Sequence, residues 1–114
     1  MKIFKKSGDV FVGSIMGISG AYADAIFRID PDENITIGRD PKTSHIVVDE
    51  GCDLVSRTHC TVKGNAKTGA YSVTDHSKNG TFVNGEKLPK GETVSVPRGS
   101  ILYIGDRENT FKLN

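Results

Sequence analysis

Asp75-His76-Ser77-Lys78-Asn79-Gly80-Thr81-Phe82-Val83-Asn84-Gly85 runs from a polar loop, through a short apolar strand, into a second turn. Asn84-Gly85 stands between Thr81-Phe82-Val83 and Lys87-Leu88, where a two-residue hairpin turn needs φ > 0 at both central residues. Asn79-Gly80 precedes the same strand and closes a loop instead. Ser77, Lys78 and Asn79 make that loop rich in hydrogen-bond donors, with no apolar side chain to bury. Taken alone, the stretch is two turns flanking one strand.

Outward from it, the chain consists of short strands punctuated by turn residues. With 13 glycines, 4 prolines and no sustained helical apolar period, it is predicted to be all-β. Strands are expected at Lys2 to Lys5, Val10 to Ile15 (interrupted by Gly13), Ala25 to Ile29, Ile35 to Ile37 and Ile46 to Val48. Further ones are Cys60 to Lys63, Tyr71 to Thr74, Glu92 to Val96, Ser100 to Ile104 and Thr110 to Leu113. Gly17 to Asp24 is turn-rich, and Ala21-Tyr22-Ala23 within it could form one helical turn. Strands recurring every eight to twelve residues or so favour a sandwich or a barrel.

At 114 residues the chain is one domain, 1–114, with no internal repeat or linker. Hydrophobic residues at 36% and charged residues at 25% suit a soluble globular protein. No apolar run reaches membrane-spanning length, and the start lacks a signal-peptide apolar block, so a cytoplasmic location is expected. A net charge of +1 gives no global pull toward nucleic acid or an anionic membrane, so any anion site must be a local cluster. Cys52, His59 and Cys60 fit no zinc spacing and lack a fourth ligand; neither metal nor cofactor is expected. Cys60 opens a strand as a small buried hydrophobe, and His45 and His76 are read as surface residues.

Three polar groups fall in loops about 20 residues apart, an interval that returns a chain to the same end of a sandwich. They are Gly38-Arg39, Ser56-Arg57-Thr58-His59 and Ser77-Lys78-Asn79-Gly80. Brought together, Arg39, Ser56, Arg57, Lys78 and Asn79 make a positive, donor-rich cluster with no carboxylate inside the motifs. Arginine offers a planar fork matched to phosphate oxygens, serine a compact hydroxyl, and asparagine an amide able to hold a peptide backbone. Such chemistry holds a phosphate rather than turning one over.

Gly38-Arg39, Ser56-x-x-His59 and Asn79-Gly80-Thr81-Phe82-Val83-Asn84-Gly85, in this order and spacing, resemble the forkhead-associated (FHA) domain family. The resemblance covers about Ala25 to Leu113. It implies a two-sheet β-sandwich of about eleven strands that binds phosphothreonine-containing proteins or peptides on loops at one end. By resemblance, Arg39 contacts the phosphate, Ser56 hydrogen-bonds it, and Asn79 holds the ligand's main chain. Gly38 allows a turn, His59 braces the loop carrying Ser56, and Gly80 belongs to the structural motif. Arg57 and Lys78 match variable positions that often add a phosphate contact. The family also reads the third residue after the phosphothreonine with the loop before Ser56, here Gly51-Cys52-Asp53-Leu54-Val55, where Leu54 points to an apolar preference.

A monomeric reader in Ser/Thr-kinase signalling is therefore expected, with neither nucleic acid nor membrane as partner. The alternative is an FHA-fold scaffold that assembles proteins without phosphate. An enzyme is not expected: Cys52 or Cys60 with His59 lacks an orienting group, and no glycine-rich nucleotide loop is present.

Overall fold

The structure, a computed structural model, describes residues 13–49, 51–105 and 109–114. Among the described residues eleven strands form two sheets: β1 (Gly13–Ser19), β2 (Ile26–Ile29), β3 (Asn34–Gly38), β4 (Ile46–Val47), β5 (Cys60–Gly64), β6 (Tyr71–Asp75), β7 (Thr81–Val83), β8 (Glu86–Lys87), β9 (Thr93–Val96), β10 (Ser100–Ile104) and β11 (Thr110–Leu113). One sheet has the order β2-β1-β11-β10-β7-β8, the other β4-β3-β5-β6-β9. No helix occurs among the described residues.

Alternation builds the core. Along β5, Cys60 and Val62 are buried while Thr61 and Lys63 are partly exposed, and β6 repeats the pattern with Tyr71 and Val73. From the other sheet, Ile15, Leu102, Ile104, Phe111 and Leu113 are fully buried against them. Tyr71 also ties the layers together: its hydroxyl accepts from the Ser14 amide at 3.0 Å, on the six-stranded sheet.

The N-terminal part departs most from expectation. The strand expected at Lys2 to Lys5 lies outside the described residues, as does the start of Val10 to Ile15. β1 spans Gly13–Ser19, so Gly13 opens the described strand and Gly17, expected in a turn-rich stretch, sits inside it. Gly17 is needed there because a Cβ would lie 1.7 Å from the Tyr22 carbonyl oxygen. Ala21-Tyr22-Ala23 forms a turn, not a helical one, with the Gly17 amide donating to the Ala25 carbonyl at 2.8 Å. That turn aims the Tyr22 hydroxyl at the Val47 carbonyl, a second link between the sheets. The packed unit thus includes β1, upstream of Ala25 where the resemblance begins.

Register places the three loop motifs. Ile37 pairs with Cys60, and Cys60 with Asp75, so the end of β3, the start of β5 and the end of β6 stand side by side. Residues 76–80 then cross to the other sheet, where Thr81 pairs with Ile104. Loops 39–45, 48–59 and 76–80 therefore emerge at one end. Asn84 and Gly85, with φ of 51° and 85°, make the expected hairpin turn between β7 and β8.

Candidate functional site

Two loops are zipped together first. The Arg39 amide donates to the Ser56 carbonyl and the Asp40 amide to the Arg57 carbonyl, both at 3.1 Å. So close an approach leaves no room at Gly38, where a Cβ would sit 2.0 Å from the Arg57 carbonyl oxygen. Arg39 Nε donates to the Val55 carbonyl. This leaves the terminal nitrogens of its guanidinium for a ligand.

The third loop joins through Ser56, whose Oγ accepts from the Lys78 amide at 3.0 Å. Among the described residues no protein acceptor takes the Ser56 hydroxyl hydrogen, so it can be donated outward. Asn79 is exposed and donates one amide hydrogen to the Leu54 carbonyl at 3.2 Å, keeping its other hydrogen and its oxygen. Arg39, Ser56, Lys78 and Asn79 thus share one shelf, as the spacing predicted. The Lys78 contribution visible here is its backbone; its side chain is exposed. Arg57 is exposed too and lines a groove with Arg39, Asp40, Pro41 and Lys42.

Beneath the shelf lies a buried polar cluster. His59 Nδ1 accepts from the Ser56 amide at 3.0 Å, so Nε2 carries the hydrogen donated to the Gly80 carbonyl at 2.8 Å. The ring therefore pins the Ser56 loop to the Asn79-Gly80 loop, and with both nitrogens engaged it is unsuited to serve as a general base. Gly80 adopts φ of 107° and donates its amide to Ser77 Oγ at 2.7 Å. Ser77 belongs to this interior: it is 1% exposed, and its hydroxyl donates to Asp75 Oδ1, as does that of Thr81 at 2.7 Å.

The sequence marks Ser77 only as part of a donor-rich polar loop and does not mark Asp75 and Thr81 as its supports. The available signal was Asp75 two residues before Ser77, the spacing at which an aspartate side chain caps a following amide. The Ser77 amide does donate to Asp75 Oδ1, at 3.0 Å. Cys60 is fully buried, and burial pushes its thiol up to about 12, which keeps it an unreactive thiol at neutral pH. His45 and His76 are exposed, although each holds a threonine: His45 Nδ1 accepts from the Thr36 amide, and His76 Nε2 pairs with Thr61 Oγ1.

The cluster sets a pH dependence. Burial lowers the His59 pKa, although the Gly80 carbonyl and the Asp75 charge pull it upward. Burial raises the Asp75 carboxyl, but hydrogen bonds from Ser77 and Thr81 outweigh this and hold it below its usual value. Below pH ~6.5 the unfolded chain takes up a proton that folded His59 resists, so stability falls as pH drops, by at most about 1.4 kcal/mol per unit. Asp75 stability is complete above pH ~4 and is lost as pH falls toward its lowered folded value. Melting temperature should decline from pH 7.5 to 5.5 and more steeply below pH 4; a flat upper limb would mean that His59 takes up its proton as readily in the fold as in the unfolded chain.

The FHA domain family matches residues 35–105, and the chain belongs to that family. The Dictyostelium discoideum protein named "Probable serine/threonine-protein kinase fhkA" is 40% identical over 85 residues, 68% of this chain but 14% of the kinase. The FHA domain of Chlamydia trachomatis CT664 superposes with a TM-score of 0.76 at 21% identity, covering 90% of this chain and 95% of that one. The MEK1 FHA domain, solved with a HOP1 phosphothreonine peptide, superposes with a TM-score of 0.70 at 17% identity, covering 89% and 93%. These superpositions establish the shared sandwich.

Proposed function

We propose that this chain is a phosphothreonine reader that docks protein segments phosphorylated by Ser/Thr kinases, in the cytoplasm. The observation that carries the reading is the convergence on Ser56: Arg39 through the backbone, and Lys78 through the Ser56 hydroxyl. A phosphate set on Ser56 accepts its hydroxyl hydrogen and the Arg39 fork, while Asn79 has donor and acceptor left for the adjoining main chain. The MEK1 domain, of the same fold, holds a phosphothreonine peptide. Leu54 is 44% exposed beside Asn79, an apolar surface for a residue downstream of the phosphothreonine.

Phosphothreonine carries close to two negative charges at neutral pH, and charge-assisted hydrogen bonds contribute about 1.5–3 kcal/mol each. Three or four of them, less the cost of ordering a short peptide, leave binding of roughly micromolar strength that salt weakens. The test is titration with a degenerate phosphothreonine peptide library and its unphosphorylated twin. Binding restricted to the phosphorylated library supports a reader. Equal binding to both, or a partner pulldown that survives phosphatase, would instead identify a phosphate-independent scaffold.

A further inference from the structure

The two sheets present unlike outer faces. On the five-stranded sheet Thr36, Thr61, Thr74 and Thr93 pair into one outward rank across four strands. Polar outward positions are the ordinary state of a sheet with water on one side. The six-stranded sheet carries an apolar strip instead. Ile26 pairs with Met16, Lys112 stands between Met16 and Ile101, and Tyr103 pairs with Phe82. These positions alternate with the buried Ile15, Val83, Leu102 and Phe111. Ile26 is 62% and Ile101 36% exposed, and the Phe82 and Tyr103 rings stack at 4.8 Å with 7° between their planes. Arg39 and Ser56 lie in loops of the other sheet, so the strip is no part of the phosphate shelf.

Within the strip, Asn84, Gly85, Ile101, Tyr103 and Thr110 line a groove of about 500 Å3, room for a large apolar side chain. The hairpin turn fixes its wall: the Asn84 amide donates to the Ile101 carbonyl at 2.8 Å, and the Ile101 amide to Asn84 Oδ1 at 2.9 Å. The charges on this face have one sign. Arg28, Lys112 and Lys87 point outward with their partners Ser14, Met16 and Phe82, whereas Glu86 pairs with the buried Val83 on the opposite face. Among the described residues no outward strand position here carries a carboxylate, and no ion pair engages the three cations. A second copy of this chain is thus a poor occupant, since a two-fold contact would set cation against cation. The first twelve residues, with Lys2, Lys5 and Lys6 against Asp9, share the wrong sign.

We propose that this face docks an acidic, amphipathic segment of a partner protein, its apolar side chains on Ile101, Tyr103 and Phe82 and its carboxylates toward Arg28, Lys87 and Lys112. The contact needs no phosphate and stands apart from the phosphothreonine reading. Arg28 and Lys87 lie on the two edge strands, five strand spacings or roughly 24 Å apart. A helix of about 16 residues, or a shorter extended segment, spans that width. Apolar burial supplies the affinity, and the cations supply register and salt dependence.

The test is selection of a displayed library of random segments of about 16 residues, free of phosphate, on the immobilised full chain. Enriched segments should combine Leu, Phe or Tyr with Asp or Glu, and one of them is then measured by fluorescence anisotropy. Ile101→Ser and Lys112→Glu should each weaken it about fivefold or more, the Lys112→Glu loss shrinking between about 50 and 200 mM salt. The same peptide with lysines for its carboxylates should not bind. Melting curves accompany both variants, and a phosphothreonine peptide should bind them within about twofold of wild type. No enrichment, enrichment of basic segments, or an enriched peptide indifferent to both substitutions overturns the proposal. Concentration-dependent dimerisation abolished by Ile101→Ser would give the face to a second copy and overturn it too. If phosphothreonine peptides fail while the acidic segment binds, the reader falls and this surface stands.

Discussion

Arg39→Ala should lower affinity for a phosphothreonine peptide by about 100-fold or more, taking roughly micromolar binding below detection. The guanidinium is anchored rather than free, because Nε is committed to the Val55 carbonyl and the terminal nitrogens project from a fixed base. A fork held this way delivers two parallel hydrogen bonds to phosphate with little rotamer entropy left to lose. Arg39→Lys retains the charge but loses both the fork and the Val55 anchor, and should recover only part of the loss, ending about tenfold or more below wild type. Removing the anchor costs stability as well, on the order of 1 kcal/mol, so a melting curve must accompany each titration. Calorimetric titration of the three proteins against one peptide reads the series. Binding by Arg39→Ala within about threefold of wild type would mean that the phosphate sits elsewhere.

The parts of this fold that sequence patterns reveal are those governed by neighbours in the chain. Period-two alternation at Cys60 to Lys63 and Tyr71 to Thr74 anticipates the faces of β5 and β6. Asn84-Gly85 announces its own turn, since few other residue pairs accept the two positive φ values found there. The meeting of the Arg39, Ser56 and Asn79 loops follows from strand spacing and motif order. Contacts between distant segments carry no such local mark. Tyr22 and Tyr71 bridge the sheets through hydroxyls whose partners, Val47 and Ser14, lie 25 and 57 residues away. Ser77 is drawn inward because Asp75, Thr81 and Gly80 complete its hydrogen bonding, which a donor-rich loop composition does not disclose.

Gly38 was matched as the glycine of a turn, and the physical reason for it is different. Its φ lies outside the left-handed region, where Gly80 and Gly85 are found, so an alanine there meets no backbone penalty. The obstacle is the opposing loop. A Cβ would stand 2.0 Å from the Arg57 carbonyl oxygen and 2.7 Å from Ser44 Oγ, and the nearer of these is backbone that cannot rotate aside. Relief requires opening the Arg39–Ser56 and Asp40–Arg57 bonds, which also carry the shelf. Gly38→Ala should therefore cost about 3 kcal/mol of stability, near a 10 °C fall in melting temperature for a domain of this size. Among molecules still folded, phosphopeptide affinity should drop too, because Arg39 and Ser56 no longer share a frame. Gly51→Ala is the matched control: its Cβ meets only an Asp49 carboxylate oxygen, at 3.2 Å, on an exposed side chain held by one hydrogen bond from the Gly51 amide. That variant should stay within about 1 kcal/mol of wild type. Equal melting of Gly38→Ala and wild type would show that the two loops are not in close apposition, and the frame proposed for phosphate would fall with that contact.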